Sequence, residues 1–352
     1  MSYLEQVKAA LWGAEMTQEA LSDDHVRLHM MQGTANLVFP SVPMTPQMKM
    51  VCLQNMQQQV KLNYTLEKAW SALEQAGLHA VLMKGASLAA FYPDPSRRSW
   101  GDVDLLVGVE QYHPACAVMR DTFPGALKFD EELDHYKHYN LIADGISIEV
   151  HRVSMGFQHP VDAARYAKME EEGRVNGEWL MVNGLKVRVF EPTFNALFVM
   201  MHSWEHMMTQ GANIRQFCDL ALLLHHYAGQ IDAARLKRYL KALHMTDVWQ
   251  LYAYILVQYL GMPHKEMPLY TTRVAERAIN LLKDLLAGRM VAPKEETKTY
   301  SNRVARKWHT MLGRLSNARR IGGYSPEYGR HMVAETLMHG ALRFFAKDRH
   351  WE

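Results

Sequence analysis

The stretch that decides the fold is VLMKGASLAAFYPDPSRRSWGDVDLLV, residues 81–107. It begins with VLM and ends with VDLLV, and short apolar runs of this kind are typical of buried strands. Between them, a lysine–glycine step leads into GASLAAFY, which is long enough for one or two helical turns before two prolines end it. The window therefore predicts a strand–helix–strand unit that brings cationic and acidic side chains close together.

Two carboxylates in this window share one face of the second strand. Asp102 and Asp104 are two residues apart, and side chains alternate between the faces of a strand, so both point the same way. Carboxylates this close repel each other unless a cation lies between them, and Mg²⁺ or Mn²⁺ is the natural cation for oxygen ligands. A solvated strand end would carry such acids too, so the pattern alone leaves both interpretations open.

A third carboxylate comes from the later segment ISIEVHR. Strand alternation places Glu149 and His151 on one face, opposite the apolar side chains. If this strand lies beside the first acidic strand, Asp102, Asp104 and Glu149 form one metal site, and three such acids can hold the metal ions of an in-line phosphoryl transfer. His151 is either a residue that supports this site or a structural hydrogen-bonding residue.

The lysine–glycine turn is the candidate phosphate end of the same site. Gly85 follows a strand and opens a short helix, where free backbone N–H groups favour a phosphate. Ser87 adds a hydroxyl donor, and Arg98 can bind phosphate oxygens in a bidentate manner. Lys84 is interpreted either as a phosphate ligand or as a lysine at a strand end with its charge in solvent.

The rest of the chain predicts an α+β fold. Residues 1–76 are rich in helix formers and end at Gly77, a helix stop. Asp-Gly at 144–145 and Asn-Gly at 183–184 each separate two runs of β-formers and predict hairpins. From residue 191 onward the pattern is helical. We expect a small mixed β-sheet core at 77–190, flanked by helices, with an N-terminal helical segment at 1–76 and a C-terminal helical domain at 191–352.

Composition places the chain among ordinary globular proteins and predicts a cytoplasmic location. Its three cysteines are far apart, which fits a reducing compartment, and neither a signal peptide nor an apolar run of membrane-spanning length is recognisable. Six basic residues and no acid lie between Ser301 and Arg320. This basic stripe is interpreted as a solvated helix face, with a site for nucleic acid or an acidic partner as the sharper alternative.

The window resembles the signature of the uncharacterised nucleotidyltransferase family, which is related to the DNA polymerase β-like nucleotidyltransferase superfamily. The matching residues are Lys84, Gly85, Leu88, Tyr92, Pro93, Arg98, Asp102, Asp104 and Val107. Glu149 and His151 are similar to the acid and histidine of a later strand in that family. The resemblance extends over about 200 residues, to near Tyr227, and one departure is Ala86, where the wider superfamily usually has Gly-Ser or Gly-Gly.

This resemblance implies a nucleotidyltransferase core that transfers a nucleoside monophosphate from an NTP, with ATP as the expected nucleotide. Mg²⁺ or Mn²⁺ would be held by Asp102 and Asp104, and Glu149 would complete the metal site or act as a base. Gly85 and Ser87 would face the triphosphate, together with Lys84 and Arg98. The acceptor is left open between a small molecule, a protein side chain and an RNA end.

Two alternatives compete with this interpretation. His202, Glu205 and His206 form an HxxEH pattern on one helix, which would indicate a zinc hydrolase if a third ligand such as Glu276 joined them; histidines packed beside the nucleotide site are the other interpretation. The second alternative is a catalytically degenerate fold that serves as a nucleotide-binding or interaction protein. The three intact acids favour the enzyme.

Overall fold

A computed structural model describes residues 1–129, 133–157, 159–209, 211–289 and 303–345. Side chains are described in these ranges except at 303–310 and 339–345. The first part of the basic stripe therefore lies outside the described side chains. None of the helices in the described ranges is both long and apolar enough to cross a bilayer.

The N-terminal segment is helical, as predicted. Its helices are α1 (Tyr3–Trp12), α2 (Asp23–Met31), α3 (Ala35–Val38) and α4 (Pro46–Gln75). The long helix α4 begins where the Thr45 side chain accepts a hydrogen bond from the backbone N–H of Met48, with proline at the first helical position. It ends before Gly77, whose φ of 70° is the left-handed conformation expected of a glycine stop.

The central sheet has five strands in the order β1-β2-β5-β4-β3. The strands are β1 (Val81–Met83), β2 (Asp102–Leu106), β3 (Leu127–Lys128), β4 (His138–Ala143) and β5 (Ile146–His151). Helix α5 (Gly85–Ala89) connects β1 to β2, and α6 (Gly108–Thr122) follows β2. Strands β2 and β5 are parallel, whereas the other neighbours are antiparallel. The sheet is therefore mixed, and the α+β prediction is confirmed.

Both predicted hairpins are present. Asp144 and Gly145 join β4 to β5 with φ values of 51° and 79°. Asn183 and Gly184 join β6 (Glu178–Val182) to β7 (Leu185–Val189) with φ values of 49° and 86°. Positive φ at both central residues is the requirement that makes Asp-Gly and Asn-Gly favourable in two-residue turns.

The remaining helices are α7 (Pro160–Val175), α8 (Pro192–Thr209), α9 (Ile214–His226), α10 (Ala233–Ala242), α11 (Thr246–Gln258), α12 (Ala275–Leu286), α13 (Arg303–Gly322) and α14 (Pro326–Phe345). Helix α8 is buried over most of its length and is largely apolar, as expected of a central helix.

Two apolar clusters form the core. One lies between the sheet, α4, α6 and the β6–β7 hairpin. The other joins α1–α3 to helices α8–α12, and the indole N–H of Trp12 donates to the carbonyl of Leu260 across this contact. The first three helices thus pack with the C-terminal helices, while α4 packs on the sheet. The division at 76 and 190 remains a prediction.

Candidate active site

Three carboxylates converge on one face of the central sheet, on the neighbouring inner strands β2 and β5. Parallel pairing of β2 with β5 places Asp104 directly opposite Glu149. The two acidic strands are therefore neighbours, which is the condition for Glu149 to join the two aspartates. Carboxylate oxygens of Asp102, Asp104 and Glu149 all lie within 4.8 Å of one another. Two of these side chains come from one strand and the third from its neighbour, which is the arrangement that alternation and register impose.

Lys84 and His151 hold the central acid, Asp104. The Lys84 ammonium lies 2.8 Å from Oδ1 of Asp104, whose side chain is completely buried. His151 Nε2 lies 3.0 Å from the same oxygen and 3.1 Å from Oε2 of Glu149. One buried imidazole therefore links two acids, and a supporting role of His151 in the site remains a prediction.

The second oxygen of Asp104 has a different environment. Oδ2 is buried and has no hydrogen-bond partner among the described residues. A buried carboxylate oxygen without a partner is costly unless a cation or water supplies one. The donor set around it consists of carboxylate oxygens, which hard divalent ions prefer. The residues present therefore fit a Mg²⁺ or Mn²⁺ ion bound by Asp102, Asp104 and Glu149.

The electrostatics of the acids are unequal. The negative charge of Asp104, and then burial, raise the pKa of Asp102 to about 6. Burial also acts to raise the pKa of Asp104, but the nearby Lys84 ammonium and His151 overcome it and hold that pKa below its usual range. Burial is likewise outweighed at Glu149, where the hydrogen bond from His151 lowers the pKa. Asp102 is thus the acid with least compensation by cations.

The lysine–glycine turn between β1 and α5 is conformationally demanding. Lys84 has φ 49° and ψ −144°, a backbone conformation that residues other than glycine rarely adopt. Gly85 has φ 33°, and a Cβ atom there would lie 3.2 Å from the Trp100 ring and 3.3 Å from the Asp102 carbonyl oxygen. The turn places the Lys84 ammonium over the acids and lets the backbone pass close to the start of β2.

Arg98 and Tyr92 donate hydrogen bonds to Asp219, a buried acid of helix α9. Arg98 donates through Nε and Nη2 to the two oxygens of Asp219, at 2.7 and 2.8 Å, and through Nη1 to the carbonyl of Gly85. The Tyr92 hydroxyl also donates to Asp219. The Ser87 hydroxyl donates to the carbonyl of Lys84. Arg98 and Ser87 therefore brace the turn, and their contact with a triphosphate remains a prediction.

A cavity of about 500 Å³ opens beside Asp102. Lys84, Gly85 and Asp102 line one part of it, and Arg215, His202 and His206 are also among its lining residues. Arg215 donates to the carbonyl of Ser99 at 2.6 Å, and no carboxylate in the described ranges lies within ion-pair distance of it. A largely buried cation without an ion-pair partner, next to a carboxylate cluster, suits a polyanionic ligand.

The HxxEH histidines lie beside this site and not in a zinc centre of their own. His202 and His206 face each other with ring centroids 4.4 Å apart, and both line the cavity. None of the three groups of potential metal ligands in the described part of the chain contains either histidine. Burial, followed by the Lys84 charge, holds the pKa of both imidazoles below the usual range. The two histidines therefore pack beside the carboxylate site, in the same cavity as Lys84 and Asp102.

Arg215 and Asp219 have separate roles that their spacing does not reveal. They are four residues apart, which favours an ion pair along a helix over a contact with substrate, but Asp219 is bound by Arg98 from the signature window. This leaves Arg215 to face the cavity. The signal lies in tertiary packing of α9 on α5, which sequence spacing does not contain.

Comparison with known proteins gives one family match. The model of a family described as uncharacterised nucleotidyltransferases matches residues 25–261. Among curated proteins, no sequence matches this chain. A crystal structure of an antigenic nucleotidyltransferase-like protein from Paracoccidioides brasiliensis is similar over 59% of this chain and 94% of that chain, with 16% identity and a TM-score of 0.34. A similarity at that level carries no inference about fold or function.

Proposed function

The chain belongs to the uncharacterised nucleotidyltransferase family, and on that basis we propose that it is a metal-dependent enzyme that transfers a nucleoside monophosphate from an NTP to an acceptor. ATP is the expected nucleotide. The observation that carries the proposal is the convergence of Asp102, Asp104 and Glu149, together with the buried and unpartnered Oδ2 of Asp104. Structural acids would be paired in the protein itself, whereas this oxygen is left for a ligand.

Asp102, Asp104 and Glu149 would hold Mg²⁺ or Mn²⁺. When bound, such an ion supplies positive charge that neutralises phosphate oxygens and favours attack at phosphorus. The low pKa of Glu149 keeps its carboxylate ionised, which suits a ligand better than a proton acceptor. We therefore assign Glu149 to the metal site.

The protein's own cations would bind the triphosphate. Lys84 extends over the acids from the turn, Arg215 faces the cavity, and Gly85 lets the ligand approach the backbone. Arg98 and Ser87 would fix the turn from behind. His151 would keep Asp104 and Glu149 in one orientation through its two contacts.

The chemistry is an in-line displacement. An acceptor hydroxyl or amine attacks the α-phosphorus and releases its proton to solvent water as the new bond forms. The bond from that phosphorus to the oxygen bridging to the β-phosphate breaks, and pyrophosphate leaves with the electron pair. The role of the residues is to position the triphosphate and to neutralise its charge, since positioning and electrostatics supply most of the catalysis in this reaction class.

The proposal is tested with NTPs labelled at the α-phosphate in Mg²⁺ or Mn²⁺ and fractionated cell extract as the acceptor source. We expect the wild type to transfer label and Asp104→Asn to lose at least a hundredfold of that rate. Asp121→Asn, which changes an exposed acid on α6, is the matched control and should keep the wild-type rate. NTP binding that persists with no transfer to any fraction would instead indicate a degenerate binding protein.

A further inference from the structure

A second cluster of potential metal ligands lies away from the three carboxylates. It forms where the N-terminus of α7, the turn between α10 and α11, and helix α14 meet. Its centre is Asp162, a carboxylate that is 3% exposed in the first turn of α7. His159, His244 and His331 approach this carboxylate from the three different segments. Three imidazoles around one buried acid are unusual on a protein surface and need an explanation.

Three of the four candidate ligands lie within reach of one ion. His331 Nε2 lies 3.0 Å from Oδ2 of Asp162, and His159 Nδ1 lies 3.5 Å from the same oxygen. Ligand atoms of Asp162, His244 and His331 all lie within 4.8 Å of one another. Zinc bonded to nitrogen and oxygen at about 2.0–2.1 Å separates neighbouring ligand atoms by about 3.3 Å. Small movements of Asp162, His244 and His331 would therefore bring these three to one ion, and His159 would turn further to join them.

The ligand types separate this cluster from the carboxylate site. Three oxygen donors suit Mg²⁺, whereas histidine nitrogens with one carboxylate suit Zn²⁺. The other oxygen of Asp162, Oδ1, accepts from Arg165 at 3.1 Å. In metal centres, a carboxylate that binds the ion through one oxygen is commonly oriented by a hydrogen bond to the other oxygen.

His244 provides an independent observation. It follows α10 with φ 58°, a left-handed position that glycine or asparagine usually fills. Its ring stacks on that of His331 with centroids 4.2 Å apart and an interplanar angle of 22°. A histidine kept in a conformation unfavourable to its side chain indicates that the imidazole has a use there.

We propose that His159, Asp162, His244 and His331 bind a structural Zn²⁺ ion that joins α14 to α7 and to the α10–α11 turn. Four protein ligands close the coordination shell, which is typical of a structural site. Two stacked rings cannot both direct a nitrogen lone pair at one ion, so zinc binding would turn the His244 ring out of its stack. The site is independent of the proposed transferase activity, because it contains none of the residues of the carboxylate site and His331 lies beyond the residues that the family model matches.

The test uses the full chain carrying Asp102→Asn, which removes one ligand of the carboxylate site and keeps the contacts of Asp104 with Lys84 and His151. After chelator treatment, Co²⁺ is added and the visible absorption of tetrahedral Co²⁺ is recorded. We expect one equivalent to bind with intense bands that Zn²⁺ abolishes. His331→Gln should weaken Co²⁺ binding at least tenfold, whereas the exposed His113→Gln should bind like the parent.

His244→Gly separates a metal role from a packing role. Glycine relieves the left-handed backbone, so the metal-free variant should melt at least as high as the parent. It should also lose most of the rise in Tm that Zn²⁺ gives the parent. The proposal is overturned if folded parent protein gives no tetrahedral Co²⁺ bands, or if Zn²⁺ raises the Tm of His244→Gly as much as that of the parent.

Discussion

Asp102 and Asp104 lie on one face of one strand, yet their surroundings differ. Asp104 is held by Lys84 and His151, while Asp102 has the charge of Asp104 as its largest influence. The protein therefore compensates the charge of Asp104 with Lys84 and His151, and that of Asp102 only in part. Strain of this kind is expected at functional sites, where stability is given up for binding.

This asymmetry predicts that Asp102→Asn and Asp104→Asn have opposite effects on the free energy of unfolding. Folded Asp102 has a pKa of about 6 against an ordinary value of 3.8. The protonated form of Asp102 stabilises the folded chain, so this contribution is present below pH 4 and lost as pH rises through 6. Each tenfold difference in proton affinity between the folded and unfolded chains corresponds to about 1.4 kcal/mol. In chelator at pH 7.5, Asp102→Asn should raise the free energy of unfolding by about 1–3 kcal/mol. Urea unfolding measures the change.

Asp104→Asn is the matched comparison in the same urea experiment. It leaves Lys84 and His151 without their central partner in a buried position, and breaking a buried ion pair from one side costs about 3–5 kcal/mol. We expect destabilisation by about that amount. Equal effects of the two substitutions would contradict the inferred asymmetry.

The same carboxyl sets the pH dependence of cation binding. Asp102 must lose its proton to act as a ligand, and its pKa of about 6 means that protonation competes with the ion below that pH. The affinity for Mn²⁺ should be constant above about pH 7 and fall up to about tenfold per pH unit below pH 6. Titration calorimetry at several pH values measures it. Full affinity at pH 5 would show that Asp102 is not a ligand.

Arg215 and Arg98 are predicted to have separate roles. Arg215→Met should raise the Kd for NTP by about tenfold or more, since hydrogen bonds to a charged group contribute about 1.5–3 kcal/mol, and should change the unfolding free energy little. Arg98→Met should instead destabilise the fold by about 3–5 kcal/mol, because the buried Asp219 carboxylate loses its cation and keeps only the hydrogen bond from Tyr92. Nucleotide binding by fluorescence and unfolding by urea separate the two. Unchanged NTP affinity in Arg215→Met would exclude its proposed role.

At the scale of elements, the turn between β1 and α5 determines the geometry of the site. Gly85→Ala would place a Cβ atom 3.2 Å from Trp100 and 3.3 Å from the carbonyl of Asp102, so the start of β2 must shift. We expect more than tenfold loss of label transfer and about 1–3 kcal/mol of destabilisation. The readouts are the transfer assay and the Tm.

Gly145→Ala is the control for this prediction. Gly145 also has positive φ, but its Cβ would meet nothing within 4 Å. It should therefore cost only the conformational penalty of about 1 kcal/mol and leave transfer unchanged. If both alanine variants transferred label equally well, close packing at Gly85 would have no part in the site.

The elements were predictable where local rules govern them. Asp-Gly, Asn-Gly and Gly77 require particular φ values, and the structure has those values in each case. Alternation along a strand also placed Asp102 and Asp104 together. The pairing of Arg98 with Asp219 was not predictable, because it joins residues 121 apart through packing of α9.

In the molecule as a whole, helices from the N-terminal and C-terminal parts of the chain share one core. Helices α1–α3 share an apolar cluster with α8–α12, and the contact between Trp12 and Leu260 joins residues 248 apart. Hydrophobic periodicity identifies the buried face of a helix but not the helix that covers it. For this reason the sequence predicted the helices at both ends of the chain and not their common core.

The product pattern of NTP turnover tests the central claim most directly. Nucleotidyl transfer breaks the bond between the α- and β-phosphates, whether the acceptor is a biological molecule or water. With ATP and Mn²⁺, we predict AMP and pyrophosphate, formed by the wild type and by Asp121→Asn and reduced at least a hundredfold in Asp104→Asn. Formation of ADP and phosphate, or turnover that is the same in Asp104→Asn, would contradict the assignment of these acids to a nucleotidyltransferase site.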